Sequence, residues 1–306
     1  MLHVEHRDFE SLTSCPICKA EDLVQVSSIR DFSHSLETFL LADCATCGCR
    51  LTNPRPKQSF IHRYYSGPSY ISHTNSRASI ADRVYQVARL WTLRRKYRLI
   101  QRFHKGGHVL DLGCGTGEFL GYLKKRGYLV DGIEINSRAR ESALTNYGVR
   151  PHSNLDELNA GVEFQVITLW HVLEHLPDPG LVLKRIFALL KRDGVVIIAV
   201  PDRESWDAHH YGEHWAAWDV PRHLYHFRRQ DMVRLLEEHG FVLLRTKPMW
   251  LDAFYVAMLS EGYAGGRQPW IWALGFFNGF RSNLAALMCK APTSSMLYIA
   301  QKGKSS

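Results

Sequence analysis

Residues His108–Leu120, with the sequence HVLDLGCGTGEFL, decide the fold of this chain. The apolar run Val109–Leu112 predicts a short buried strand, and Glu118–Leu120 opens a helical pattern. Between them, Gly113–Gly117 carries glycine at alternate positions, and glycine lets a backbone turn sharply and a ligand approach without a Cβ clash. A strand, a glycine turn and a helix N-terminus together predict a cradle for a nucleotide-type ligand.

An acidic residue follows the next predicted strand. Leu129–Ile133 ends at Glu134, about 20 residues beyond the glycine turn, where a carboxylate can accept hydrogen bonds from ribose hydroxyls. Glycine turns are common, so the pairing of this turn with Glu134 is what favours a ligand that contains a nucleoside.

The spacing Asp111-x-Gly113-x-Gly115-x-Gly117 resembles the first motif of the class I S-adenosylmethionine-dependent methyltransferases. The resemblance implies that the loop passes under the methionine part of the cofactor and that Glu134 holds its ribose. The alternative is an ordinary Rossmann-like turn that binds another ligand or none. The cofactor-binding candidates lie in the loop and at two strand ends: Asp111, Gly113, Cys114, Gly115, Gly117, Glu134, Ile135, Trp170 and His171.

A second motif supports the same family. Trp170–Pro179 reads WHVLEHLPDP and resembles the HVLEHLPDP motif of a broad methyltransferase group that includes quinone-biosynthesis and natural-product enzymes. Many members begin the preceding strand with Phe-Asp, where this chain has Phe164-Gln165. The resemblance places Trp170 and His171 beside the methionine arm of the cofactor.

The same stretch raises a hypothesis about a metal ion. In the quinone O-methyltransferases a Glu-x-x-Glu-His pattern is associated with a divalent metal, and here His171 replaces the first Glu ahead of Glu174 and His175. We favour a structural interpretation, in which Glu174 caps backbone donors at a helix start.

Histidines gather in a third segment, in which Pro221–Phe227 resembles the Pro-Arg-His-x-x-x-Phe segment of a zinc-bearing methyltransferase branch. Five of them fall within residues 209–226: His209, His210, His214, His223 and His226. Imidazole takes up a proton near neutral pH, as a general base for a hydroxyl or amine acceptor must. We therefore expect a substrate-side loop, with His223 as the first candidate for the base, His210 as the second, and His171 as a further catalytic candidate.

Strands and helices alternate from about residue 106 onward, which predicts an α/β fold with a doubly wound, Rossmann-like sheet and the ligand at the carboxyl ends of the strands. We expect seven strands: Val109–Leu112, Leu129–Ile133, Val149–His152, Phe164–Trp170, Val195–Val200, Phe241–Lys247 and Ser295–Lys302. The methyltransferase resemblance implies that the last strand is inserted antiparallel. The predicted domain covers residues 106–306.

Two Cys-x-x-Cys pairs precede this domain. Cys15, Cys18, Cys44 and Cys47 supply four thiolates, the ligand set of a structural, tetrahedral Zn²⁺ site, and Cys49 is a spare thiol. Because so short a segment cannot bury a large core, we expect the metal to hold a zinc-ribbon module together over residues 1–56. The segment from 57 to 105 then contains a tyrosine-rich loop at 64–73, which lines the domain's entrance or packs as a linker, and a basic amphipathic helix within Arg77–Lys105.

About 45 residues, 249–293, separate the last two predicted strands, which normally connect closely, and we expect a helical insertion there. Its aromatic content allows a cap over the acceptor pocket, a dimer contact, or a membrane-surface helix at 269–288. Polar residues in the middle of 269–288, including Arg281, argue against a membrane span.

The formal net charge of +8 suggests an anionic partner, although the solvated face of the basic helix explains much of it, and nucleic acid is not the favoured partner. The polar N-terminal sequence has no secretion-signal pattern, and the clustered cysteines favour a reducing compartment, so we expect a cytoplasmic protein.

The sequence therefore predicts methyl transfer from S-adenosylmethionine, with S-adenosylhomocysteine as product, to a small-molecule or carrier-linked acceptor. Zinc-ribbon relatives suggest a sugar, nucleotide-sugar or natural-product intermediate. The alternatives are a quinone-precursor O-methyltransferase, an RNA methyltransferase, and a non-catalytic scaffold that binds the cofactor. The acceptor atom and the oligomeric state are not identified by the sequence.

Overall fold

The computed structural model describes residues 8–65, 80–288 and 290–303, without the side chains of residues 80–88. The N-terminal module contains five short strands: β1 (Phe9–Glu10), β2 (Leu23–Arg30), β3 (Thr38–Cys44), β4 (Arg50–Thr52) and β5 (Arg55–Pro56). β2 and β3 form an antiparallel hairpin, with β4 on the other side of β3, while β1 pairs with β5.

The central sheet has six strands in the order β11-β12-β9-β8-β6-β7. They are β6 (His108–Leu112), β7 (Leu129–Ile133), β8 (Phe164–Trp170), β9 (Leu190–Pro201), β11 (Phe241–Pro248) and β12 (Ser295–Lys302), with β10 (Tyr225–His226) lying outside this sheet. β7, β6, β8 and β9 are parallel, whereas β12 runs antiparallel to both of its neighbours. The predicted α/β fold with an antiparallel last strand is confirmed.

Helices cover both faces of this sheet: α1 (Ile80–Gln101), α2 (Glu118–Lys124), α3 (Ser137–Tyr147), α4 (Pro179–Leu189) and α6 (Arg229–Glu238). The short helix α5 (Trp206–Tyr211) instead packs against the insertion at 249–293. Successive residues of β6 show the two layers, because strand side chains alternate between faces. Val109 belongs to an apolar cluster with residues of α1 and α2. Leu110 belongs to a different cluster, with residues of α4 and α6. The sheet is therefore buried on both sides, and its carboxyl edge is left for the site.

The prediction of a seventh strand at Val149–His152 is wrong. This segment makes one isolated bridge, between Ile133 and His152. The segment is short, because α3 ends at its cap Gly148 and a 3₁₀ turn begins directly after its cap Asn154. Only His152 between them pairs with the neighbouring strand, through its N–H to Gly132 and its carbonyl to Glu134.

The N-terminal module and the central sheet are joined by shared structure. β10 pairs antiparallel with β4 and completes the module's four-stranded sheet. The buried Thr52 hydroxyl donates to the carbonyl of His223 at 2.8 Å, and Cys15, Cys44 and Leu51 belong to the same apolar cluster as Leu110. Residues on both sides of the boundary predicted at residue 56 therefore share one sheet and one apolar core.

The insertion at 249–293 forms two packed helices, α7 (Asp252–Tyr263) and α8 (Trp270–Leu287). Gly275 and Gly279 make the close approach possible, because a Cβ on either would lie within 2.7 Å of an α7 atom. In the described part of the chain, no helix combines the length and apolar character needed to cross a bilayer.

Candidate active site

The glycine loop leaves one open side. Gly115 and Gly117 have φ angles of +54° and +74°, in the region that favours glycine. A Cβ on Gly117 would lie 2.6 Å from the Cβ of Ala143, so α3 packs tightly there. At Gly115, apart from the glycine itself and its two chain neighbours, no described atom comes within 4 Å of the position that a Cβ would take. A ligand can therefore approach the backbone at Gly115.

Glu134 is held against this loop. Its Oε2 accepts from the Gly115 N–H at 2.9 Å and its Oε1 accepts from the Asn136 N–H at 2.8 Å. Ile135 beside it is 79% exposed, whereas the side chain of Cys114 is buried against Gly132. Glu134 and Ile135 therefore present side chains at the loop, whereas Cys114 offers a ligand only its backbone.

Asp111 is buried beneath the loop. Its Oδ1 accepts from the hydroxyl of Thr168 at 2.5 Å, across the pair β6–β8. Burial raises the pKa of Asp111 to about 6, against the opposing attraction of Lys96. Asp111 is therefore placed to fix the end of β6, from which the glycine loop begins, and not to lie at the exposed side of the loop.

Lys96, on α1, reaches the same region and was missed by the sequence analysis, which assigned the basic segment to a solvated face. Its Nζ lies 4.2 Å from the centroid of the Trp170 ring and 5.5 Å from that of Phe119. Burial lowers its pKa to about 8, although Asp111 and Asp252 act in the opposite direction. Among the described residues, the ammonium group has cation–π contacts but neither a hydrogen bond nor an ion pair within 4 Å. No local signal in the sequence separates Lys96 from its exposed basic neighbours.

A cavity of about 520 Å³ adjoins the carboxyl edge of the sheet. Its inner wall includes His171, Pro201, His223 and Asp252. The N-terminal module contributes the loop segment Phe32–His34, and α7 contributes a mainly apolar wall of Tyr255, Val256, Leu259 and Tyr263. Phe32 stacks on Tyr263 with ring centroids 5.4 Å apart, which joins the two walls. The cavity thus combines aromatic surfaces with titratable groups.

His171 follows the last residue of β8 and lines this cavity. Its Nδ1 lies 3.4 Å from Glu174 Oε1 and its Nε2 lies 3.9 Å from Asp252 Oδ2. Burial disfavours the imidazolium, but these two carboxylates outweigh it and raise the pKa of His171. A histidine between two acids is suited to accept a proton near neutral pH.

His223 also lines the cavity, in a different electrostatic setting. Its Nδ1 lies 2.9 Å from the carbonyl of Ala217, which assigns the ring proton to Nδ1 and leaves Nε2 as the acceptor. Burial, reinforced by His175, lowers the pKa of His223 to about 4. His223 is therefore a weaker base than His171 at neutral pH.

Glu174, His175 and His223 form a group that could hold a metal ion, with one ligand atom from each within 4.8 Å of the others. Both carboxylate oxygens of Glu174 are buried without a hydrogen bond in the described part of the chain. The prediction that Glu174 caps backbone donors is therefore wrong. The set also differs from the sequence hypothesis, because His223 stands where His171 was expected.

Arg222, in the Pro-Arg-His segment, joins the module to the domain. Its guanidinium donates to Asp219 at 2.7 Å, to Asp31 at 3.0 Å and to the carbonyl of Tyr64 at 3.0 Å. Arg222 and Asp31 are both almost fully buried, at 4% and 2% exposure. Breaking a buried ion pair leaves an uncompensated charge, so we expect Arg222 to stabilise the contact between the module and the domain. The same segment also supplies the cavity-lining His223.

His210 lies apart from the cavity. It is exposed on α5 and stacks on Trp206 at 4.7 Å, so the structure does not bring it together with His171 and His223. From the tyrosine-rich loop, Tyr64 lines the cavity and the hydroxyl of Tyr65 lies 3.1 Å from His175 Nδ1. Residues 66–73 of that loop lie outside the described residues.

The four predicted metal-binding cysteines meet in the N-terminal module. The sulfur atoms of Cys15, Cys18, Cys44 and Cys47 lie within 4.8 Å of one another, with Cys15–Cys47 at 3.6 Å and Cys18–Cys44 at 3.4 Å. Sulfurs bound at about 2.3 Å to a tetrahedral Zn²⁺ would be about 3.8 Å apart, close to these distances. The donor set and its geometry fit zinc.

Comparison with known proteins adds a family assignment. Residues 84–246, just over half of the chain, match the family described as "Methyltransferase domain". Ubiquinone biosynthesis O-methyltransferase of Coxiella burnetii is 32% identical over 119 residues, which cover 36% of this chain and 50% of that protein. The corresponding protein of Haemophilus ducreyi is 32% identical over 111 residues, which cover 32% of this chain and 47% of that protein. The chain thus spans about half the length of these curated relatives.

Solved structures resemble the fold. Magnesium protoporphyrin IX methyltransferase from Synechocystis PCC 6803, with bound S-adenosylhomocysteine, aligns with a TM-score of 0.52 at 16% identity, covering 81% of this chain and all of that one. A structure described as a sarcosine dimethylglycine methyltransferase from Galdieria sulphuraria aligns with a TM-score of 0.50 at 16% identity, covering 72% and 88% of the two chains. At these identities the likeness concerns the fold.

Proposed function

The chain belongs to the methyltransferase domain family, and we propose that it transfers the methyl group of S-adenosylmethionine to a small-molecule acceptor held in the cavity beside His171. The observation that carries the proposal is a cavity of about 520 Å³ with a titratable inner wall, at the sheet edge that also holds the glycine loop. Bound S-adenosylmethionine supplies an electrophilic methyl carbon on its sulfonium. The chain's task is then to align the acceptor and exclude water.

His171 is the general base in this proposal, replacing His223 as the first candidate. His171 lines the cavity next to Trp170, and its pKa is raised by two carboxylates, whereas the pKa of His223 is lowered to about 4. A base is most effective when its pKa is near the working pH. His171 would accept the proton of the acceptor O–H or N–H, and bound S-adenosylmethionine would supply the methyl group, with S-adenosylhomocysteine as the leaving product.

The acceptor is proposed to be a sugar, a nucleotide sugar or a natural-product intermediate, free or carrier-linked. Aromatic walls at Phe32 and Tyr263 and polar groups at Ser33 and Asp219 suit a ring with several hydroxyls. The named relatives make a quinone precursor the second candidate. RNA is less favoured, because the cavity is bounded by two walls that contact each other.

Incubation with methyl-labelled S-adenosylmethionine and a panel of acceptors tests the proposal. The panel contains nucleotide sugars, phenolic quinone precursors, hydroxylated natural products and RNA. We expect label in a small-molecule product. Label in RNA alone, or tight cofactor binding with no label in any acceptor, would contradict the proposal and support the RNA-modifying or scaffold alternative.

Lys96 is proposed to pair with the carboxylate of the cofactor's methionine arm, since its half-buried ammonium beside Trp170 has no anionic hydrogen-bond partner among the described residues. Lys96→Met keeps the packing on the ring and removes the charge. We expect S-adenosylhomocysteine to bind about 10–100-fold more weakly, the worth of a hydrogen bond to a charged group. Isothermal titration calorimetry measures the change, with Arg98→Met, an exposed position on the same helix, as the matched control. Equal affinity of the Lys96→Met variant and the wild type would contradict this role.

Zn²⁺ is proposed to occupy the site formed by Cys15, Cys18, Cys44 and Cys47. All four positions are filled by cysteine, which suits a structural ion, because catalytic zinc keeps one position open. Cys49 is buried nearby but stands outside the group of four. The ion would stabilise the module that supplies Phe32–His34 to the cavity.

A further inference from the structure

Helix α8 has an inverted arrangement of polar and apolar residues. Its buried positions are Gly275, Asn278, Gly279 and Ser282, spaced along one face. Its large side chains face outward: Trp270, Trp272, Leu274, Phe276, Phe277, Phe280, Leu284 and Leu287, between 42% and 70% exposed. A surface helix of a water-soluble protein normally shows the opposite pattern.

The buried face is held by contacts typical of helices packed in lipid. Asn278 donates to Glu261 Oε1 at 2.8 Å, and the Ser282 hydroxyl donates to Asp207 at 2.8 Å. Gly275 and Gly279 let the backbone of α8 approach α7 closely. Small residues at the helix contact, polar side chains bonded across it and large apolar side chains outside are the arrangement that a bilayer favours.

Charge identifies the kind of surface that the exposed face fits. The insertion contains two acidic residues, Asp252 and Glu261. Asp252 faces the cavity, where it accepts from Ser295, and Glu261 accepts from Tyr211 and Asn278. Its basic residues Arg267, Arg281 and Lys290 are exposed. An outward face with apolar and basic groups complements a bilayer with anionic headgroups.

We propose that the outer face of α8 docks the protein onto the surface of an anionic lipid bilayer. The helix lies in the headgroup region, where the exposed Arg281 in its second half stays among the anionic headgroups. Trp270 and Trp272, near its N-terminus, occupy the interface that tryptophan prefers. Tyr255, on the helix α7 against which α8 packs, is 60% exposed and also lines the cavity.

Sedimentation of the full-length chain with vesicles tests the proposal. We expect binding to phosphatidylcholine vesicles that contain about one third phosphatidylglycerol, and weaker binding to phosphatidylcholine alone. Phe276→Ser/Phe280→Ser removes two exposed rings and should weaken the apparent affinity about 100-fold. Leu129→Ser/Leu181→Ser removes two apolar side chains that are 67% and 58% exposed elsewhere, and should leave vesicle binding unchanged.

Two further measurements make the result decisive. The first uses lipids brominated in their acyl chains, which should quench the tryptophan fluorescence of the wild type more strongly than that of the phenylalanine double variant. The second is binding of S-adenosylhomocysteine, which should be equal in the two proteins. Absence of vesicle binding by the wild type, or equal binding by both double variants, would overturn the proposal. A lipid-free dimer that the phenylalanine substitutions dissociate, without vesicle binding, would assign the face to a second copy of the chain and also overturn it.

Discussion

Cys44→Ser is expected to remove zinc from the chain and to destabilise the whole protein. Structural zinc contributes a binding free energy of about 10–16 kcal/mol to the folding of small zinc modules. This is comparable to the whole free energy of unfolding of a typical native protein, about 5–15 kcal/mol. Cys44 is fully buried in the cluster that also contains Leu110 of the central sheet, so the damage is not confined to the module. We expect metal content to fall from about one zinc per chain to a small fraction of that, and Tm to fall by about 10 °C or more.

Cys49→Ser is the matched control, because Cys49 is equally buried but is not one of the four grouped sulfurs. It should keep its zinc and lose little stability. Elemental analysis measures the zinc content of both variants, and thermal unfolding measures their Tm. A wild-type chain that contains no zinc while Cys15 and Cys44 are intact and reduced would contradict the proposed metal site, as would full zinc retention by Cys44→Ser.

His171→Gln is expected to lower kcat by about 10²–10⁴-fold, the usual contribution of a general base, with little change in the KM for S-adenosylmethionine. Glutamine retains polar atoms beside Glu174 and Asp252 but cannot take up the proton. His210→Gln is the control, since His210 is exposed on α5 and does not line the cavity. Initial rates with an acceptor identified from the panel measure both parameters. An unchanged kcat in His171→Gln would remove His171 from the mechanism.

If Glu174, His175 and His223 instead hold a divalent cation that is needed for activity, we expect different results from the same measurements. Chelation would then abolish the activity of a wild-type enzyme that still contains the module's zinc. His223→Gln would also lower kcat by as large a factor as His171→Gln. With His171 as the base, chelation that spares the module's zinc leaves kcat unchanged.

Local patterns in the sequence predicted the parts of the molecule that local physics controls. The strand–glycine–helix unit at Val109–Leu120 follows from chain conformation within a dozen residues, as does the strand Phe164–Trp170, whose bounds match the structure. The Cys-x-x-Cys pairs likewise place two sulfurs on one turn before any long-range contact forms. The predicted third strand failed for an equally local reason, because a helix ends at Gly148 and a turn begins after Asn154, which leaves little extended chain between them.

Features that depend on distant contacts were not accessible from the sequence. Arg222 pairs with Asp31 across 191 positions of the chain, and the sequence gives no sign that its charge is buried. Lys96 stands among exposed basic residues and is distinguished only by the rings of Trp170 and Phe119 above which it lies. The aromatic content of 249–293 was visible, but the outward direction of its large side chains depends on how α8 packs against α5 and α7.

Binding of S-adenosylhomocysteine by isothermal titration calorimetry, with wild type and Glu134→Ala side by side, tests the central claim most directly. Glu134 holds the Gly115 N–H at the open side of the loop, where we place the cofactor's ribose. We predict one binding site per chain in the wild type and a loss of affinity of at least about 100-fold in Glu134→Ala, since both an acceptor for the ribose and the loop's anchor are removed. No measurable binding by the wild type, or equal affinity of the two proteins, would contradict the assignment of this site to S-adenosylmethionine.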